Sequence, residues 1–161
     1  MFNNNGTVDV LSGVVNFGPN FNQYSGMLRL NGGNASIVTN GTFNLVGGTL
    51  TGEGIITGTV ASSGDVSPGL QAGTLTVNGA FRMAGAGEVN IEVGGPTAGS
   101  GYDQLKVLGA ATLSGTLNVD VINGYVPNIG DNYPVITYNS RTGAFSAYTG
   151  LVLGNGRSFN P

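Results

Sequence analysis

The stretch 47–79, GGTLTGEGIITGTVASSGDVSPGLQAGTLTVNG, leaves room for little except short strands. Its apolar residues come in ones and twos between glycines, and no run carries the spacing of an amphipathic helix. Leu50, Ile55, Val60, Leu75 and Val77 are the expected buried positions. Thr49, Thr51, Thr57, Thr59, Thr74 and Thr76 supply β-branched partners for a pleated surface facing water. The one proline falls in a Ser67-Pro68-Gly69 turn. The reading is a set of very short strands, each turned by glycine and stacked along an axis.

The first forty-five residues repeat one theme, a glycine followed by alternating apolar positions. It recurs at Gly6, Gly13, Gly26, Gly41 and Gly48. Period-2 alternation puts Val8/Val10, Val15/Phe17, Leu28/Leu30 and Phe43/Leu45 on one face, and Asp9, Asn16, Arg29 and Asn44 on the other. The gaps fall near one or two multiples of seven, the mark of a solenoid whose units bury their faces against neighbours. A globular β-sandwich is the alternative. Pro19 sits in a connection, Gly18–Ser25, expected to bulge from the stack. The many asparagines of this half suit side-chain amide ladders and left-handed turns.

Beyond Gly73 the strands lengthen. Gly87–Val93 and Gly115–Val121 alternate cleanly, with Val89, Ile91 and Val93, then Leu117, Val119 and Val121, facing in. The loop Gly94–Gly101 leads into a strand at Tyr102–Val107, and a long turn at Gly124–Asp131 feeds another at Tyr133–Tyr138. Tyr125, Tyr133, Tyr138, Phe145 and Tyr148 gather near the end. Stacked repeats need caps, and bulky rings suit one. The expected organisation is therefore one structural unit, with coils over 1–123 and a capping segment over 124–161.

Several motifs in order resemble the β-strand repeats associated with bacterial autotransporters and other large surface adhesins. They are Gly48-Thr49-Leu50-Thr51-Gly52-Glu53-Gly54, Ile56-Thr57-Gly58, Ser67-Pro68-Gly69 and Gly73-Thr74-Leu75-Thr76-Val77-Asn78-Gly79. Tyr102-Asp103-Gln104-Leu105-Lys106-Val107-Leu108-Gly109, Leu113-Ser114-Gly115-Thr116-Leu117-Asn118-Val119, Gly124-Tyr125-Val126-Pro127-Asn128-Ile129-Gly130 and Gly143-Ala144-Phe145 follow. The match covers about residues 40 to 150. The resemblance implies an all-β, right-handed parallel β-helix with a C-terminal β cap, carried outside the cell on the bacterial surface. It transfers no catalytic residues. The opening MFNNNGTVDV has neither a basic start nor an apolar core, so an excised fragment or mature subunit is expected.

Composition narrows the chemistry. Only 8% of residues are charged, against roughly 25% in an ordinary domain. The four arginines and single lysine are scattered, so there is no basic stripe for nucleic acid and no electrostatic membrane anchor. Without histidine or cysteine, Ser-His-Asp, Cys-His and His- or thiolate-metal arrangements cannot be built. Neither a metal nor a cofactor is expected.

The carboxylates remain. Glu88 and Glu92 share a strand face but lie roughly 13 Å apart, too wide for a glycosidase pair at about 5.5 or 6.5–9.5 Å. Glu92, Asp103 and Asp120 meet if their rungs stack in register, with Lys106 or Arg82 as the nearest cation. The plainer reading makes these solvated charges that break up a sticky surface, with Asp103 a turn or strand-start residue. The sequence thus predicts a non-enzymatic extracellular stalk, fibre segment or adhesive scaffold. A homopolymeric filament joined through its ends and a glycan-active or glycan-binding β-helix are the alternatives. Ligand contacts, to a surface glycan or protein, are expected on two loops, through Asn20, Asn22 and Tyr24 and through Thr97, Ser100 and Tyr102.

Overall fold

A computed structural model describes residues 1–154 and 156–161. Its strands begin with β1 (Phe2–Asn4), β2 (Val8–Val10), β3 (Gly13–Asn16), β4 (Asn20–Gln23), β5 (Met27–Leu45) and β6 (Thr49–Ser62). Then come β7 (Asp65–Pro68), β8 (Thr74–Asn78), β9 (Phe81–Met83), β10 (Glu88–Val93), β11 (Gln104–Val107) and β12 (Ala110–Leu113). The last are β13 (Thr116–Val121), β14 (Ile136–Thr137), β15 (Ser140–Gly143), β16 (Ala147–Thr149), β17 (Val152–Gly154) and β18 (Arg157–Ser158). No helix occurs among the described residues.

The chain visits three parallel ladders in fixed rotation. The first ladder stacks β2, the start of β5, the start of β6, β7, β10, β13 and β16. The second takes β3, the middles of β5 and β6, β8, β11 and β14. The third takes β1, β4, the ends of β5 and β6, β9, β12 and β15. A sandwich would require antiparallel sheets face to face. Here the sixteen-stranded sheet pairs in parallel throughout, and the antiparallel pair of strands is the β17–β18 hairpin.

Val8, Leu28, Leu50, Val66, Val89, Leu117 and Tyr148 form one column, so successive circuits take 20, 22, 16, 23, 28 and 31 residues. The repeat is the three-strand circuit rather than a multiple of seven, and its corners absorb the differences in length. The core runs along the axis between the ladders. Phe21, Leu28, Ile37, Phe43, Leu50, Ile56, Val60, Leu75, Phe81 and Leu105 are fully buried. Stacked rings lie 5.5 Å apart for Phe2 on Phe21 and 5.2 Å for Phe21 on Phe43.

Gly26, Gly48, Gly64, Gly87 and Gly115 stand one above another where the chain turns into the first ladder. A Cβ on Gly48, Gly64 or Gly115 would collide with the carbonyl of the glycine one circuit earlier, and one on Gly87 would collide with the Met83 sulfur and crowd the Gly64 carbonyl. The amides that follow bond along the same line, Thr49 to Gly26, Asp65 to Gly48 and Thr116 to Gly87, at 2.9, 2.9 and 3.0 Å. This close approach explains the glycines that open the theme at Gly26 and Gly48, whereas a Cβ at Gly13 would meet nothing within 4 Å.

Several local expectations are overturned. Gly18–Ser25 is no bulge: Asn20–Gln23 is the ladder strand β4, with Phe21 and Gln23 fully buried. Ile55 points outward and Ile56 takes the core, because Gly52 and Gly54 turn a corner at φ +99° and +155° and break the alternation. Thr51 is buried and its hydroxyl donates to the Gly69 carbonyl. The first strand is Phe2–Asn4, before Gly6, and only Ile136–Thr137 is strand in the 133–138 segment. Residues 124–161 contribute the last strands of each ladder and then the hairpin.

Candidate functional site

Each third-ladder strand presents alternate residues outward. One outward column reads Asn3, Asn22, Asn44, Ala61, Arg82, Thr112 and Thr142. Its asparagines form an amide ladder: Asn44 Nδ2 donates to Asn22 Oδ1 at 2.7 Å, and Asn22 Nδ2 to Asn3 Oδ1 at 2.7 Å. Asn20 lies one column over, and its Oδ1 accepts the Thr42 amide at 2.9 Å. Tyr24 follows β4 and is 45% exposed. Asn20, Asn22 and Tyr24 therefore belong to one sheet face, with two of their amides committed to holding it flat.

The second predicted group lies elsewhere, at the corner between the first and second ladders after β10. The loop closes on itself, with Gly101 and Tyr102 amides donating to the Thr97 carbonyl at 2.6 and 3.1 Å and Gly94 to Gly101 at 2.7 Å. Thr97 and Ser100 are exposed. Tyr102 is 3% exposed, its ring edge-on to Tyr133 at 5.3 Å. No strand pairing or hydrogen bond joins these residues to Asn20, Asn22 and Tyr24.

The acidic residues do converge. Glu92 and Asp120 are direct ladder partners, and with Asp103 and Arg29 they line a cavity of about 300 Å³ beside Ser67–Leu70. Pro68 there is the last residue of β7 and not the turn expected from sequence. Asp103 is not solvated: it is 2% exposed, with Oδ1 accepting the Gly73 amide at 2.8 Å and Oδ2 the Glu92 amide at 2.9 Å. Burial, reinforced by the nearby Glu92 and Glu53 charges, pushes its carboxyl up to about 7 against the pull of those two amides. Arg29 is already held by both oxygens of Asp9, at 2.7 and 2.8 Å. The cations named from sequence are not here, since Lys106 lies on the second ladder and Arg82 on the third. Among the described residues no group of three or more carboxylates is arranged to hold a metal ion.

A larger cavity, about 510 Å³, lies at the end of the core. Leu117, Val119 and Val93 line it, together with Tyr133, Leu151 and Phe159 from the tail. Tyr133 donates to Asp131 and meets the Tyr125 hydroxyl, each at 3.0 Å. The Asn128 amide and the Tyr133 hydroxyl hold the Asp131 carboxyl below its ordinary range.

Sequence reasoning missed Asn44 and Arg82 as members of one face. Their separation of 38 positions in the chain carries no signal, and only the circuit lengths of β5, β6 and β9 bring them two rungs apart. Comparison with protein-family models, with curated proteins and with solved structures returned no match.

Proposed function

We propose that this chain is a non-enzymatic structural and adhesive β-solenoid, a right-handed parallel β-helix serving as a stalk or fibre segment of a bacterial surface protein. The observation that carries the reading is the rotation of the chain through three parallel ladders in register. Backbone hydrogen bonds then run along one axis, and side chains on flat faces are free to meet a partner. The general hand of crossovers between parallel strands of one sheet supports the right-handed reading. Asp103 has both oxygens engaged by backbone amides, and Arg29 is taken by Asp9, which favours scaffold over hydrolase.

Pulling the chain from its two ends in a single-molecule experiment tests this. Circuits of 16 to 31 residues should release one after another, in steps of about 55 to 105 Å. A single all-or-none step would overturn the reading. The filament alternative draws on the first rung, where Phe2 is 46% exposed and β1 pairs with β4 alone. Sedimentation that grows with concentration would favour it.

A further inference from the structure

Charge is sorted between the faces. Asp9, Asp65, Glu88, Glu92 and Asp120 lie on first-ladder strands, Glu53 and Asp103 at the corner that follows, and Asp131 in the tail. These are all eight acids of the chain. The third-ladder strands hold none, yet they carry Arg82 in β9 and Arg141 in β15. Arg82 is exposed and has no carboxylate or hydrogen-bond partner among the described residues, in contrast to Arg29 on the acidic face.

The amide ladder gives this face a direction. The Nδ2 groups of Asn44 and Asn22 both donate toward the first rung, so the last member, Asn44, leaves its Oδ1 without a donor among the described residues. The next position in the column is Ala61, a gap, and the one after is Arg82. The two polar ends therefore stand two rungs apart, about 9.6 Å, across a shallow cavity of about 330 Å³ lined by Asn22, Asn44, Ala61, Ser63, Arg82 and Ala84. Beyond Arg82 stands the exposed hydroxyl of Thr112.

We propose that this notch binds an anionic polysaccharide running along the solenoid axis. Arg82 takes a carboxylate or sulfate on one sugar unit, and Asn44 Oδ1 and the Thr112 hydroxyl take ring hydroxyls. A free guanidinium on an acid-free face supplies the charge complementarity. A polymer rich in hydroxyl donors also matches the bare acceptor of Asn44 better than a nucleic acid does. Nucleic acid would call for stacking rings between several cations, and this column carries no aromatic residue. The proposal deepens the adhesive reading by naming the class of partner.

The test is affinity electrophoresis of the full chain through gels containing polygalacturonate, dextran sulfate, neutral dextran or no polymer, with single-stranded DNA in a separate titration. The two charged polymers separate carboxylate from sulfate, and retention by either supports the site. Arg82→Gln should weaken retention roughly tenfold or more, the effect of losing a charge-assisted hydrogen bond. Asn44→Ala should weaken it by a smaller factor, and Lys106→Gln, on the second ladder, should leave it unchanged. Thermal midpoints of the variants check that the fold is kept. Equal retention by dextran, no loss in Arg82→Gln, an equal loss in Lys106→Gln, tighter Arg82-dependent binding of DNA, or no retention by any polymer would each overturn the proposal. Release of new reducing ends by the wild-type chain would instead defeat the non-enzymatic reading and leave Arg82-dependent binding standing.

Discussion

Asp103 accepts the backbone amide proton of Gly73, thirty residues earlier in the chain, at 2.8 Å. Its other oxygen accepts the amide of Glu92, so one carboxyl ties the turn after β7, the end of β10 and the start of β11. Gly73 is close-packed there, and a Cβ on it would press against both the Gly69 backbone and the Glu53 side chain. The acid therefore adds two side-chain bonds to the backbone bonds already there, the Gln104 amide to the Gly73 carbonyl and the Asp103 amide to the Glu92 carbonyl, both at 2.9 Å.

Stability should carry the signature of this group. Burial holds the Asp103 carboxyl near 7 in the folded chain, against 3.8 when exposed. Between those values the unfolded chain has lost a proton that the folded chain keeps, so unfolding releases one and stability falls as pH rises. The contribution is complete below pH 4 and gone above pH 7, and its size is roughly 4 kcal/mol. Denaturant midpoints measured from pH 4 to 8 should decline more steeply for the wild type than for Asp103→Asn. Parallel slopes would refute the assignment.

The glycine column makes a paired prediction. Gly13 and Gly115 have nearly the same φ, +76° and +73°, but a Cβ at Gly13 meets nothing within 4 Å, whereas at Gly115 it meets the Gly87 carbonyl. Gly13→Ala should cost about 1–2 kcal/mol for the left-handed backbone alone. Gly115→Ala should cost a further ~1–3 kcal/mol for the collision. Urea titration of both variants measures the difference, and equal losses would show that the column does not constrain the stack.

Asn22 and Asn5 separate ladder amides from surface amides. Asn22→Ala removes two side-chain hydrogen bonds and should cost about 1–2 kcal/mol. Asn5 is exposed and its side chain bonds to nothing among the described residues, so Asn5→Ala should stay within about 0.5 kcal/mol. Thermal melting distinguishes them.

Much of the architecture can be read from glycine followed by alternation. Val8/Val10, Leu28/Leu30 and Phe43/Leu45 do share the inward face, and β10 and β13 lie within the runs read as Gly87–Val93 and Gly115–Val121. Period 2 holds only along a straight strand, however. At Gly52–Gly54 the backbone turns between ladders, and the parity of every later residue depends on that corner, which is why Ile55 and Ile56 exchange roles. The strand at Asn20–Gln23 is hidden because polar Asn22 and Gln23 are buried by bonds to other circuits, Asn22 to Asn3 and Asn44 and Gln23 to Gly6. Asp103 is a similar case, its partners being 30 and 11 residues away. Composition shows scattered arginines, and only the stacking reveals that Arg82 shares a face with Asn22 and Asn44.

The acidic cavity should be catalytically silent. Neither the wild-type chain nor Glu92→Gln nor Asp120→Asn should release reducing ends or unsaturated products from a broad polysaccharide panel. An activity in the wild type abolished by either substitution would mean that the carboxylates do chemistry.

Removing residues 124–161 strips β14, β15 and β16 from the ends of the three ladders and uncovers Leu105, Leu113 and Leu117. The shortened chain should aggregate or lose solubility, read by light scattering. If it stays monomeric and melts as sharply as the intact chain, the tail is not what closes the core.

The unequal circuits, from 16 residues to 31, bear on how such a chain can be altered. Because each rung is fixed by its inward columns, extra length leaves at a corner without moving the strand that follows. The closed loop at 94–101 already does this, returning through Gly101 to Gly94 before β11 resumes its pairing with β8. The corners thus act as a tailoring allowance, where foreign peptide of almost any length can be sewn in while the seams above and below stay aligned.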